Sequence, residues 1–242
     1  MLQLAVQKGV LEQSGVVKIV KKCRSIVTTM HHSAQLTHGF KEKQVEITGK
    51  SIEKSLVLMQ DVEVWWNSTY LMLERFLRLK APVQLFMLNN ETKFKVSPIS
   101  EPEFDLIEKA CHILKPFFEL TKRFSSNKVS VADVIPGILT LQLFLERCQL
   151  TNVGTFKGTL KKYLEESFFS ESGGLNILTN ALYTIPTLLH PAYRNVIPAK
   201  YVDDAKGSLL TATVKLANSP PISDDETSSM TSESDMGPNG EV

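Results

Sequence analysis

Six residues carry the most suggestive chemistry in this 242-residue chain: Trp65 and Trp66, side by side, and Lys18, Lys21, Lys22 and Arg24, clustered some forty positions earlier. An indole is a flat face on which a nucleobase can stack, and lysine and arginine side chains neutralise phosphates. Together they are candidates for a nucleic-acid contact. The competing reading is plain: adjacent tryptophans at the mouth of a helix pack into a core, and a basic helix face is solvated. Acidic chemistry is sparser. Asp61, just ahead of the tryptophans, is the one acid placed where α/β proteins keep catalytic groups, at the end of an apolar run. A single acid makes no two-metal site. Asp203 and Asp204 are neighbours, but adjacent positions on a helix diverge by about 100° and share a metal poorly. Cys23 with His31, His32 and His38 lacks the spacing of a helical metal site, and there is no Cys-x-x-Cys pair. No phosphate-binding loop, nucleophile elbow or metalloprotease helix motif is present, so neither a metal nor a cofactor is expected.

The elements that position these residues follow from periodicity. Val16, Ile19, Val20, Cys23, Ile26, Val27 and Met30 recur at spacings of three and four, which predicts one long helix running to about Gln44, with a break at Gly39. The four basic residues fall mainly off its apolar stripe. Ahead of it, Leu2, Leu4, Ala5 and Val6 form a short apolar segment that Gly9 interrupts. "SLVLMQDV", Ser55 to Val62, reads as a buried strand of ordinary length. Asn67 or Ser68 then caps a helix carrying Tyr70, Leu71, Leu73, Phe76 and Leu77, which Pro82 kinks or ends. Beyond the polar loop at 89–102, helical spacing dominates: 103–124 with a kink or break at Pro116, 130–148 with Asp133 as a possible cap, 155–169, 175–196 and 198–217.

Composition is ordinary for a globular chain, 43% hydrophobic and 22% charged, with a formal net charge of +1. Charge is unevenly distributed. Residues 1–60 hold nine Lys/Arg against four acids, whereas Ser219 onward has six acids and no base. That Ser/Thr/Asp/Glu-rich tail reads as disordered. The three scattered cysteines suggest a reducing compartment. No apolar run reaches the roughly 18 residues needed to span a bilayer.

Several segments together, "LQLAVQKG", "CRSIVTTMHHSAQLTHGFKEKQ", "DVEVWWNSTYLMLERFL" and "LIEKACHILKPFFELTKRFSSNKVSVADVIP", resemble the hAT transposase superfamily, in particular its zinc finger BED domain-containing branch. The resemblance covers about residues 2–195. It implies a mainly α chain: a fragment of an RNase H-like α/β domain, one strand plus helices, at 1–88; the all-helical hAT insertion domain at 89–217; and the disordered acidic tail at 218–242. Trp66 matches a family tryptophan that in active members stacks on DNA, while the arginine before it is here Trp65. "LHPAYR", Leu189–Arg194, matches a family segment whose acid is here His190. The family's two upstream catalytic acids, its first strands and its BED finger find no counterpart, nor does its third acid, so the chain is expected to be truncated at both ends and catalytically inactive. The function implied is that of a nuclear DNA-associated or transcription-regulatory module, touching DNA through the Trp66 region and the basic first helix, with a protein partner or a second copy as a further possibility and no membrane association. Two alternatives stay open: a helical protein-interaction scaffold without nucleic-acid binding, and a fragment of an active transposase whose acids lie upstream.

Overall fold

A computed structural model describes residues 2–149, 154–170 and 175–218; the acidic tail expected from Ser219 onward lies outside them. The described residues form ten α-helices. The strand expected at Ser55–Val62 is absent, and the only β pairing among the described residues is a single antiparallel bridge between Phe169 and Asn176. The mixed α/β fragment expected for the front of the chain is therefore corrected to an all-helical fold. The physical reason is that a strand needs a neighbouring backbone, and here side chains take that place. The Gln44 carboxamide accepts from the Leu56 N–H (2.9 Å) and donates to the Leu56 carbonyl (2.7 Å).

The chain opens with α1, Leu2–Val6, which runs directly into a π-helical turn, Gln7–Leu11. Gly9 does not interrupt it. A Cβ at this position would lie 2.7 Å from the Leu160 side chain and 3.2 Å from its Cα, so the missing side chain allows a close approach between two helices. Next comes α2, Ser14–His31, whose seven predicted stripe residues are all buried. The long helix expected to reach Gln44 breaks earlier than Gly39. Ser33 accepts from the Leu36 N–H and caps a separate helix α3, Ala34–Thr48, which closes on Gly49 in the left-handed conformation (φ +66°). Gly39 sits inside α3 against the Phe86 ring.

Helix α4, Trp66–Arg78, starts at Trp66 rather than after an Asn67 or Ser68 cap. Ser68 lies in its first turn, where its hydroxyl accepts from the Val62 N–H and donates to the Trp65 carbonyl, binding the incoming chain to the helix. A break at Leu79, just ahead of Pro82, separates α4 from α5, Lys80–Asn89. Helix α6, Glu101–Phe124, is the longest. Glu103 accepts from the Ser100 N–H and hydroxyl at its start, and Pro116 is carried inside it without a break. Helices α7 (Val134–Arg147), α8 (Gly154–Phe168), α9 (Ala181–Leu189) and α10 (Ala199–Ala217) complete the chain. One buried apolar cluster takes in residues from Val6 to Leu178. Within it α4 packs on α6, while α1 and the π-helical turn pack on α8.

Candidate functional site

The spacing of α2 and the start of α4 decide where the six candidate residues stand. Because α4 begins at Trp66, that indole shares a face with Thr69, Tyr70 and Leu73, all buried. Trp66 is only 2% exposed and belongs to the core, so neither ring face is open for stacking. Trp65, one position earlier, is 63% exposed, and Val62 and Val64 beside it are exposed as well. Gln3 of α1 donates to the Val64 carbonyl at 2.9 Å and holds this corner against the N-terminal segment.

The basic residues of α2 divide in the same way. Arg24 grips the Asp61 carboxylate with two parallel bonds, Nε to Oδ1 at 2.8 Å and Nη2 to Oδ2 at 2.7 Å, and reaches Glu63 at 2.7 Å with Nη1. Lys22 pairs with Glu103 at 2.7 Å and donates to the Pro98 carbonyl. Lys18 and Lys21 are exposed, lie one turn apart, and have no ion pair among the described residues. Lys21, Arg24, Glu63, Thr69, Gln7 and Glu12 line most of a shallow cavity of about 210 Å³ between α2, the π-helical turn and the entry to α4. The structure thus brings Lys21, Arg24 and the approach to Trp65 together on one side, and turns Trp66 and Lys22 inward.

Asp61 is the structural hinge of this corner. Its side chain is fully buried, and the Thr69 hydroxyl donates to Oδ2 at 2.7 Å. Burial alone would raise its pKa, but the bonds from Arg24 and Thr69 outweigh it and hold the carboxyl below the usual range. The Arg24 guanidinium is held above its ordinary value mainly by its bond to Asp61. A carboxylate saturated in this way fastens the loop to α2 and α4. Cys23 is buried, with its thiol pushed up by desolvation, and the described residues contain no cluster of metal-ligand type.

Sequence reasoning missed a second polar cluster. Asp133 accepts from Arg123 at 2.7 Å and from the Tyr193 hydroxyl at 3.0 Å, and Tyr193 stacks on His190 with ring centroids 4.2 Å apart. The same carboxylate accepts from the Ser130 N–H, so Asp133 answers Ser130 at the start of the preceding 3-10 turn and ties distant segments together, but its side chain does not cap α7 as expected. "LHPAYR" held the only signal, with Tyr193 three positions beyond His190.

Comparison with known proteins bears directly on the first of these sites. Residues 1–113 match a family described as the ZBED1 RNase-like helical domain. In that part the chain is similar to a domain of a BED zinc finger protein, and its likeness to this group is distant. Over 193 residues, 80% of its length, it is 25% identical to human Zinc finger BED domain-containing protein 4, and it spans 16% of that relative. No solved structure matches. The word helical in the family's description agrees with the all-helical fold seen here. The Arg24–Asp61 corner and Trp65 lie inside residues 1–113, the part that matches the family, whereas the Arg123–Asp133–Tyr193 cluster lies beyond those residues.

Proposed function

We propose that the chain is a DNA-associated interaction module of the nucleus, working by binding rather than catalysis, and that its nucleic-acid contact is formed by Trp65 with Lys18 and Lys21. The observation that carries this reading is that the Trp65 indole is exposed and that Lys18 and Lys21 of α2 are exposed without an ion pair among the described residues. An exposed indole offers a stacking face, and two unpaired lysines supply phosphate contacts. Trp66 and Arg24 serve the contact indirectly, by fixing the corner that presents Trp65, while Lys22 ties α2 to the start of α6. Kinship with BED-finger proteins supports a nuclear setting.

With two lysines as the phosphate contacts, the affinity is modest and its salt slope shallow. The logarithm of the association constant should fall with the logarithm of salt concentration at a slope of about −2. Fluorescence anisotropy with a labelled duplex and a labelled single strand tests this. Trp65→Ala should weaken binding by about 1–3 kcal/mol if a base stacks on the ring, and Lys18→Gln/Lys21→Gln should flatten the salt slope. Binding unchanged in both variants removes the contact.

A second reading, a protein-interaction scaffold, is favoured by a specific feature. Val62 and Val64 flank Trp65 as exposed apolar residues, and an aromatic anchor with an apolar surround and a charged rim is the usual make-up of a protein hot spot. That reading expects Trp65→Ala to abolish capture of a protein partner while the lysine variants leave it intact.

A further inference from the structure

Between α3 and α4 the chain from Leu56 to Gln60 lies outside any helix, and side chains meet its peptide groups from two sides alternately. On one side Gln44 of α3 meets both the N–H and the carbonyl of Leu56, and the His31 ring of α2 lies 3.0 Å from the Leu58 carbonyl. On the other side Arg75 of α4 donates to the Val57 carbonyl at 2.7 Å. This is the two-fold alternation of a strand, in which residues i and i+2 present their N–H and C=O groups to the same edge. The first edge lies against α2 and α3, although the amides of Leu58 and Gln60 on it also donate to no protein acceptor among the described residues. The second edge is not filled. Among the described residues, the amides of Val57 and Met59 donate to no protein acceptor, and no donor meets the Met59 carbonyl. Beside it lies an open groove of about 410 Å³ lined by Met59, Leu71, Glu74, Arg75, Leu77 and Arg78.

We propose that this edge accepts an extended peptide from a partner protein as an added strand, with one carboxylate of that peptide on Arg75 and Arg78. An unpaired strand edge is a template for another backbone. The Met59 N–H and carbonyl ask for an acceptor and a donor side by side, which one residue of an extended peptide supplies with its own carbonyl and N–H and a phosphodiester, having no donor, does not. Exposed Val57 and the aliphatic walls of Met59, Leu71 and Leu77 suit alternating apolar side chains. Two guanidiniums against the single Glu74 favour one acidic residue and disfavour an acidic run. Arg75 holds the Val57 carbonyl until the peptide N–H replaces it, and is then free for the carboxylate. The groove follows the side and C-terminal half of α4, away from Trp65 at its N-terminus.

The probe is a heptapeptide of alternating valine and threonine with a central glutamate, titrated into the full chain and followed by amide NMR and hydrogen exchange. The expected result is saturable binding with new protection at Val57 and Met59 and none at Leu58 and Gln60. Arg75→Ala should weaken binding about tenfold, and Met59→Pro, which deletes the edge amide, should weaken it at least as much. Both variants are first checked for a native melt, and the same peptide N-methylated at alternate positions on the wild-type chain gives the same test without any substitution. Equal affinity for the N-methylated peptide, protection at Leu58 and Gln60 instead, or no saturable shift at millimolar peptide overturns the proposal. So does protection of Val57 and Met59 by self-association in sedimentation, which assigns the edge to a second copy, or by an oligonucleotide, which assigns it to nucleic acid.

Discussion

Trp65 and Trp66 are chemically identical neighbours whose fates differ because a helix starts between them. Trp66→Ala removes a fully buried indole and should destabilise the fold by about 3–5 kcal/mol, read as a lower midpoint in urea. Trp65→Ala should stay within about 0.5 kcal/mol, so any loss of binding it causes is a loss of contact and not of structure. Asp61 gives the pH-dependent counterpart. Its folded pKa is depressed by Arg24 and Thr69, so its contribution is fully present above the unfolded carboxylate value of about 3.9 and is lost as pH falls through the lower folded value. Stability measured between neutral pH and pH about 3 should therefore fall more steeply in the wild type than in Asp61→Asn. At neutral pH Asp61→Asn should itself cost about 3 kcal/mol, because it leaves Arg24 without its main partner. Equal acid sensitivity in the two proteins would remove Asp61 from this role.

At the scale of elements, what was legible in the sequence was periodicity, and what was not was everything decided by a distant partner. The stripe of α2 from Val16 to Met30 was readable because seven apolar residues repeat at helical spacing and all find the core. The start of α4 was misplaced by two or three residues, since Asn67 and Ser68 look like caps. Yet Trp66, Thr69, Tyr70 and Leu73 already carry the i, i+3, i+4, i+7 pattern that puts Trp66 inside. Ser55–Val62 has a strand's composition, but whether such a run pairs with a strand or with Gln44 and Arg75 depends on residues far along the chain. Gly9 is the sharpest example. In sequence it looks like a breaker, and in the fold it is the point where the π-helical turn meets Leu160 of α8. Gly9→Ala would normally favour a helix. Here it should destabilise by about 1–3 kcal/mol, because the new methyl lies too close to the Leu160 backbone for a rotamer change to relieve it. A thermal melt unchanged or raised by Gly9→Ala would show that α1 and α8 can separate without cost.

Across the whole molecule, the segments that sequence reasoning drew at 1–88 and 89–217 are joined by contacts that neither makes alone. Helix α6 covers the inner face of α4, where Tyr70 meets Phe118 with ring centroids 4.7 Å apart, and Lys22 of α2 is paired with Glu103 at the start of α6. At the other end, α8 covers α1 and the π-helical turn, placing residues near 160 against residues near 10. A chain ending at Asn90 keeps α1 to α5 but loses both covers, leaving Val6, Val10, Trp66, Tyr70 and Leu73 without much of their packing. Each large apolar side chain returned to water costs about 1.5–3 kcal/mol. Several together exceed the 5–15 kcal/mol that a domain of this class has in total. Residues 1–90 made alone should therefore lack the sharp thermal transition of residues 1–218 in far-ultraviolet circular dichroism, and should bind an apolar dye. Adding residues 154–170 as a separate peptide should not restore the transition, since α6 would still be missing. A cooperative melt of 1–90 within a few degrees of the longer chain would instead make the front a self-sufficient unit, and the α6 and α8 contacts a docking of finished parts.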